Sequence, residues 1–149
     1  MFWRALFAFL AVPGVLAFLI PALIVQYAPG TTTFYVAGLV PVILGTILLL
    51  WCVRDVSVVG KGTLAPSAPP RKLVAIGLYR RTRNPMYVAV SLILLGWAAS
   101  FWSVYILIYA IGMMIWFHLW VVFGEEPWMA RMFGEAYEQY RTKVPRWLI

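Results

Sequence analysis

The stretch MYVAVSLILLGWAASFWSVYILIYAIGMMIWFHLWVVF, Met86 to Phe123, contains no Asp, Glu, Lys or Arg. A helix needs about 20 apolar residues to cross the hydrocarbon core of a bilayer, so this run is long enough for nearly two crossings. Its natural point of reversal is Ser100 to Ser103, which predicts a tight hairpin of Met86–Ser100 and Val104–Phe123. The first arm is short for a full crossing unless the Asn84-Pro85 end is buried in protein.

Working outward, Ala5 to Ala28 is free of charge and long enough for a span, and Phe34 to Val53 forms another between Thr31-Thr32-Thr33 and Arg54-Asp55. The first run is too long for a cleaved leader and has only Arg4 before it, so it reads as a span. Pro13, Pro21 and Pro41 inside these runs predict local kinks, tolerated where neighbouring helices take up the freed carbonyls. The expectation is an all-α, polytopic transmembrane protein of about four spans and one domain. Its two N-terminal spans occupy residues 1–53 and a motif-bearing core occupies 54–149. Composition agrees: 64% of residues are hydrophobic and 11% charged, against about a quarter charged in a soluble domain. The 8 Trp, 8 Tyr and 9 Phe exceed what so small a core can bury. The lone Cys52 cannot form an intramolecular disulfide and reads as a small packing residue.

The net charge of +7 does not indicate nucleic acid, because the cations lie beside apolar runs, where anionic lipid headgroups would meet them. Seven fall in Arg54–Asn84 and four after Phe123, while the turns at Tyr27–Thr33 and Ser100–Ser103 carry none. By the positive-inside rule, all of this charge lies on the cytoplasmic side, and both termini with it.

Two polar segments therefore share one face. In the first, Val58 to Pro70 is rich in Gly and Pro and should run extended. Arg71 to Arg83 then groups Leu73, Val74, Ile76, Leu78 and Tyr79 among cations, a pattern that also fits an amphipathic segment at the interface. In the second, Glu125-Glu126-Pro127 follows the last span, with Pro127 suited to the first turn of a new helix. Trp128, Met129, Met132 and Phe133 recur at helical spacing, and Gly134 should end that helix before Tyr137, Tyr140 and Arg141. The adjacent glutamates can serve as helix N-terminal charges, or as part of a polar site opposite the arginine-rich loop. His118, the only histidine, is suited to carrying protons or to an interhelical hydrogen bond. One histidine without clustered acids makes a metal site improbable.

The order Gly77-Leu78-Tyr79-Arg80-Arg81-Thr82-Arg83-Asn84-Pro85-Met86-Tyr87, an apolar hairpin, Glu125-Glu126, Phe133-Gly134-Glu135-Ala136-Tyr137-Glu138-Gln139-Tyr140 and Val144-Pro145-Arg146-Trp147 resembles the isoprenylcysteine carboxyl methyltransferase family and its phospholipid methyltransferase relatives. Gly60-Lys61-Gly62-Thr63 and Pro69-Pro70 resemble many bacterial members, which points to a prokaryotic inner membrane. The resemblance implies methyl transfer from S-adenosylmethionine to a lipophilic or lipidated acceptor. It places Leu73, Val74, Tyr79, Asn84, Pro85, Met86 and Tyr87 at the cofactor, with Glu125 or Glu126 closing the other side. Arg83 is the candidate catalytic residue, orienting a cofactor or acceptor carboxylate, and lipid phosphate is an alternative partner for it. Two departures stand out. Asn84 occupies the position of a family histidine, so a hydrogen bond remains available there and a titratable ring does not. Trp120-Val121-Val122-Phe123 lacks the arginine by which prenylcysteine methyltransferases address their substrate. A membrane reductase using NADPH shares the R-x-P-x-Y element, and a catalytically inactive partner of the same fold is a third reading.

Overall fold

The computed structural model describes residues 10–30, 33–60 and 72–148, and the described residues are helical with connecting turns. The first helix is π-wound over Leu10–Leu19, around Pro13, and continues as α1 (Ile20–Tyr27). A proline cannot donate to the preceding turn, and the wider π turn accommodates that missing bond. A 3₁₀ turn, Val36–Gly38, leads into α2 (Leu39–Val58), which places Pro41 in its first turn, where no intrahelical donor is needed. The hairpin follows as α3 (Pro85–Phe101) and α4 (Val104–Trp120).

The hairpin reverses at Trp102, which takes up a left-handed conformation (φ 46°), and Ser103 caps α4 by accepting from the Ile106 amide at 3.5 Å. At the start of the short first arm, Asn84 and Pro85 are both buried. Tyr35 N–H donates to the Ser100 carbonyl at 2.6 Å, tying the α1–α2 connection to the hairpin turn.

The most extensive helix contact is between α2 and α3, and small residues make it. A Cβ on Gly45 would stand 2.7 Å from the Ala89 carbonyl oxygen, and one on Gly96 would stand 2.8 Å from the Val42 amide nitrogen. Lipid offers no hydrophobic drive between helices, so such backbone proximity and its dispersion contacts must hold them together. Around the seam Leu49, Ala89, Ile93, Leu94, Ala110 and Phe117 form the core. Val40, Ile43, Leu44 and Ile47 of α2, with Ile108, Ile111 and Ile115 of α4, face outward and exposed, as expected where the surrounding solvent is hydrocarbon.

Among the described residues there are four apolar helices, of which two, Val36–Val58 and Val104–Phe133, are long and apolar enough to cross a membrane; Val12–Tyr27 and Pro85–Phe101 are shorter. Two local expectations are corrected. The second apolar helix runs on through Arg54-Asp55 to Val58, because Arg54 points outward while Asp55 is buried. Pro127 stands in the first turn of α5 (Glu126–Phe133), as expected, but that helix is not set apart from the last span: the chain passes into it from α4 through a π turn, Val121–Glu125. In the Arg71–Arg83 stretch, described from Lys72 onward, the chain makes a single 3₁₀ turn, Gly77–Arg80. Leu73 and Ala75 there pack on Tyr137, Tyr140 and Val144. Residues 61–71, most of the stretch expected to run extended, lie outside the described residues, as does Arg4. As expected, Gly134 (φ 53°) ends α5, and α6 (Glu135–Lys143) follows.

Gly96→Val should destabilise the protein by about 1–3 kcal/mol or more, since the side chain must displace backbone. Gly112, with nothing within 4 Å of a built Cβ, should accept alanine with little change. Thermal unfolding of the two variants in detergent checks the contrast.

Candidate functional site

The Gly77–Arg80 turn is set by Gly77, whose positive φ of 54° lays its backbone against the buried Asp55 carboxylate. Any side chain there would strike that carboxylate. The turn leaves the Tyr79 carbonyl free to accept from Tyr140 Oη of α6 at 2.6 Å. Thr82, Arg83 and Asn84 then grip the segment after α6. Arg83 N–H donates to the Pro145 carbonyl (2.9 Å), and Thr82 Oγ1 and Asn84 Nδ2 both donate to the Arg146 carbonyl (3.0 Å each). Pro85 opens α3 as its first residue, and Tyr87 follows on the first turn.

Across from this turn, the π turn carries both glutamates. Its defining bond runs from Glu126 N–H to the Val121 carbonyl, and it lets the helix continue into Pro127. Neighbouring helical residues project about 100° apart, and the two carboxylates take different partners. Glu125 accepts from the Tyr87 hydroxyl in a short hydrogen bond and from Trp120 Nε1 at 3.2 Å. Glu126 accepts from Arg146 through both oxygens (Nε at 2.7 Å, Nη2 at 3.0 Å), and its Oε1 also meets Arg83 Nη1 at 3.0 Å. Arg83 Nη1 further donates to Tyr137 Oη at 3.3 Å.

These groups surround a cavity of about 680 Å³, within the range of roughly 300–1,000 Å³ typical of small-molecule sites. Its walls include Tyr79, Arg83, Asn84, Met86 and Tyr87 from the turn, and Trp116, Phe117, Trp120, Glu125 and Glu126 from the α4 end. Trp128 and Met129 of α5 and Tyr137 and Tyr140 of α6 complete it, and Val12 and Leu16 reach it from the first helix. Burial raises the phenols of Tyr79, Tyr137 and Tyr140 above their ordinary range, so at neutral pH all three are protonated. The Glu126 hydrogen bonds raise the Arg146 guanidinium, which keeps that contact charged.

Of the residues singled out in the sequence, Val74, Tyr79, Arg83, Asn84, Met86, Tyr87, Glu125 and Glu126 line the cavity. Leu73 and Pro85 do not: Leu73 packs beneath α6, and Pro85 is spent on starting α3. Asn84 uses its side chain to donate to the Arg146 carbonyl. His118 is outside the cavity, and its Nδ1 accepts from Trp147 Nε1 at 3.3 Å, so the histidine contact is with the tail rather than another spanning helix. Sequence reasoning missed Trp116, Trp120 and Trp128 as wall residues. The i, i+4 spacing of Trp116 and Trp120, one turn before Glu125, was the available signal. Lys72 and Arg131 at the cavity were also missed.

The phospholipid methyltransferase family model matches residues 33–136. The chain belongs to that family, whose members are membrane methyltransferases. No curated protein and no solved structure matches the chain. The matched stretch contains the turn, the hairpin and both glutamates, and it ends one residue before Tyr137.

Glu126→Ala should leave Arg83 buried without a counter-charge and lower stability by about 3–5 kcal/mol. Tyr140→Phe removes one hydrogen bond and should cost about 1 kcal/mol. Chemical denaturation of the detergent-solubilised protein, followed by intrinsic tryptophan fluorescence, ranks the two.

Proposed function

We propose that this member of the phospholipid methyltransferase family transfers a methyl group from S-adenosylmethionine to a lipophilic acceptor at the cytoplasmic membrane face. One observation carries the reading: a single cavity holds aromatic rings, the Glu125 carboxylate and the Arg83 guanidinium. The residues present fit the cofactor. Tyr79, Tyr87, Phe117 and Trp120 offer ring faces that attract a cation such as a sulfonium. Glu125 has lone pairs beyond those used by Tyr87 and Trp120, and these can accept from an amino group or ribose hydroxyls. Arg83 Nε is buried and has no hydrogen-bond partner among the described residues, a donor suited to a carboxylate. The cofactor supplies an electrophilic methyl group.

The chain's own contribution is alignment and exclusion of water. Displacement at a methyl carbon is in line and gains most from holding the two reactants in register. Tyr87, fixed by Glu125 at one end of its ring and packed 4.7 Å from the Phe117 ring centroid, is a rigid wall for that purpose. A carboxylate acceptor needs no proton removed, whereas an amine or thiol needs a base. The stretch Trp120-Val121-Val122-Phe123 carries no arginine to select a prenylcysteine carboxylate, so the acceptor is defined here by its lipophilicity. Exposed Trp116 and Trp120 and the first-helix residues Val12 and Leu16 give the cavity an apolar flank from which it can arrive. The bilayer is the partner, nucleic acid is not, and four crossings with both termini cytoplasmic fit the charge distribution.

Thermal-shift or calorimetric titration of the purified protein with S-adenosylmethionine, S-adenosylhomocysteine and NADPH tests this reading. The two adenosyl compounds should stabilise it. Stabilisation by NADPH alone would identify a reductase, and no response to any of them an inactive relative. Tyr87→Ala and Glu125→Ala should each weaken cofactor binding at least tenfold while leaving membrane insertion intact. If both bind normally, the cofactor does not sit in this cavity.

A further inference from the structure

The charges around Arg83 do not balance. Its side chain is 9% exposed and that of Glu126 11%, so water does little to compensate either. Glu126 is already matched by Arg146, which takes both carboxylate oxygens in a bidentate contact. Two guanidinium groups thus share one carboxylate, and the cluster carries one surplus positive charge.

Among the described residues no other acid forms an ion pair with either guanidinium. The sequence has 5 acidic residues. Asp55 lies beside Arg54, Glu125 takes Tyr87 and Trp120, Glu135 takes Gln139, and Glu138 pairs with Arg141 at 2.8 Å. Glu125 shares the cavity but accepts from the neutral donors Tyr87 and Trp120 and forms no ion pair with Arg83, so part of the Arg83 charge stays open to an anion from outside the chain. Arg83 is the member of the cluster that lines the cavity, and its Nε is buried and unpartnered. Arg146 is absent from the cavity wall. A buried cation with an open donor in a small-molecule cavity is an anion site.

We propose that Arg146 is a positioning residue: by sharing Glu126 it leaves the Arg83 charge only partly compensated, so that Arg83 docks the carboxylate of the cofactor's amino-acid portion. This rests on the reading of the cavity as an S-adenosylmethionine site. Three hydrogen bonds put Arg146 in place, from Arg83 N–H to the Pro145 carbonyl and from Thr82 and Asn84 to its own carbonyl. The turn that carries the anion-reading arginine therefore also seats the residue that keeps it charged. Without Arg146, Glu126 would pair with Arg83 alone and the cluster would be neutral.

The test compares two ligands that differ in the carboxylate. S-adenosylhomocysteine carries it, and 5′-methylthioadenosine lacks the amino-acid portion. Their dissociation constants are measured by calorimetry on the full chain in detergent for wild type, Arg146→Gln and Arg146→Lys. Arg146→Gln should weaken S-adenosylhomocysteine about tenfold or more and leave methylthioadenosine within about twofold. Arg146→Lys, which keeps the charge and loses the bidentate geometry, should recover part of the loss. Equal weakening of both ligands would make Arg146 a structural brace, and no change in either would place the carboxylate elsewhere; each overturns the proposal. Wild-type protein that binds neither compound would overturn the cofactor assignment first and this inference with it.

Discussion

Glu126 is the point on which the site depends. Its carboxylate stands at the junction of α4 and α5, and it is reached by Arg83 from the turn before α3 and by Arg146 from the end of the chain. No two of these segments adjoin in sequence. In a weakly polar setting a carboxylate with two guanidinium partners has few alternative arrangements, because each alternative strands a charge. The ion cluster therefore acts as a registration device rather than as a large source of stability. It fixes how the tail, the turn and the helix end meet, and the cavity is the space left between them.

That arrangement needs a firm base, which the bundle provides by a different means. The α2–α3 seam brings backbone to backbone at Gly45 and Gly96, and dispersion over that area does the work that water would do elsewhere. The apolar outer faces cost nothing in lipid. On that base the turn and the tail are joined by hydrogen bonds from Thr82, Arg83 and Asn84 to the Pro145 and Arg146 carbonyls.

The hairpin was legible because an uncharged run of that length has one economical solution in a bilayer, and Ser100–Ser103 sets two serines close together near its middle. The cavity residues from Tyr79 to Tyr87 and the glutamates were legible through motif order. The partners were not. Nothing in a linear reading says that adjacent Glu125 and Glu126 take wholly different partners, since that depends on which segments approach the two helix faces. The π turn was hidden for a similar reason: Pro127 signalled a helix start, and a proline is equally compatible with a helix that widens by one residue to admit it. Leu73 and Pro85 show the opposite failure. They stand inside the motif region, yet packing and helix initiation already account for them.

A π turn holds one residue more than the α turn it replaces, so Val121–Glu125 can be viewed as a single-residue insertion absorbed within a helix. Removing one residue there would restore regular winding and rotate everything beyond it by about 100°. Glu126 would swing from its arginines, and α5 would leave the cavity. Length, as well as the identity of Glu125, is thus what this five-residue stretch must preserve. Among related chains, an alignment gap at this point would separate those that can share this geometry from those that must build the same wall in another way.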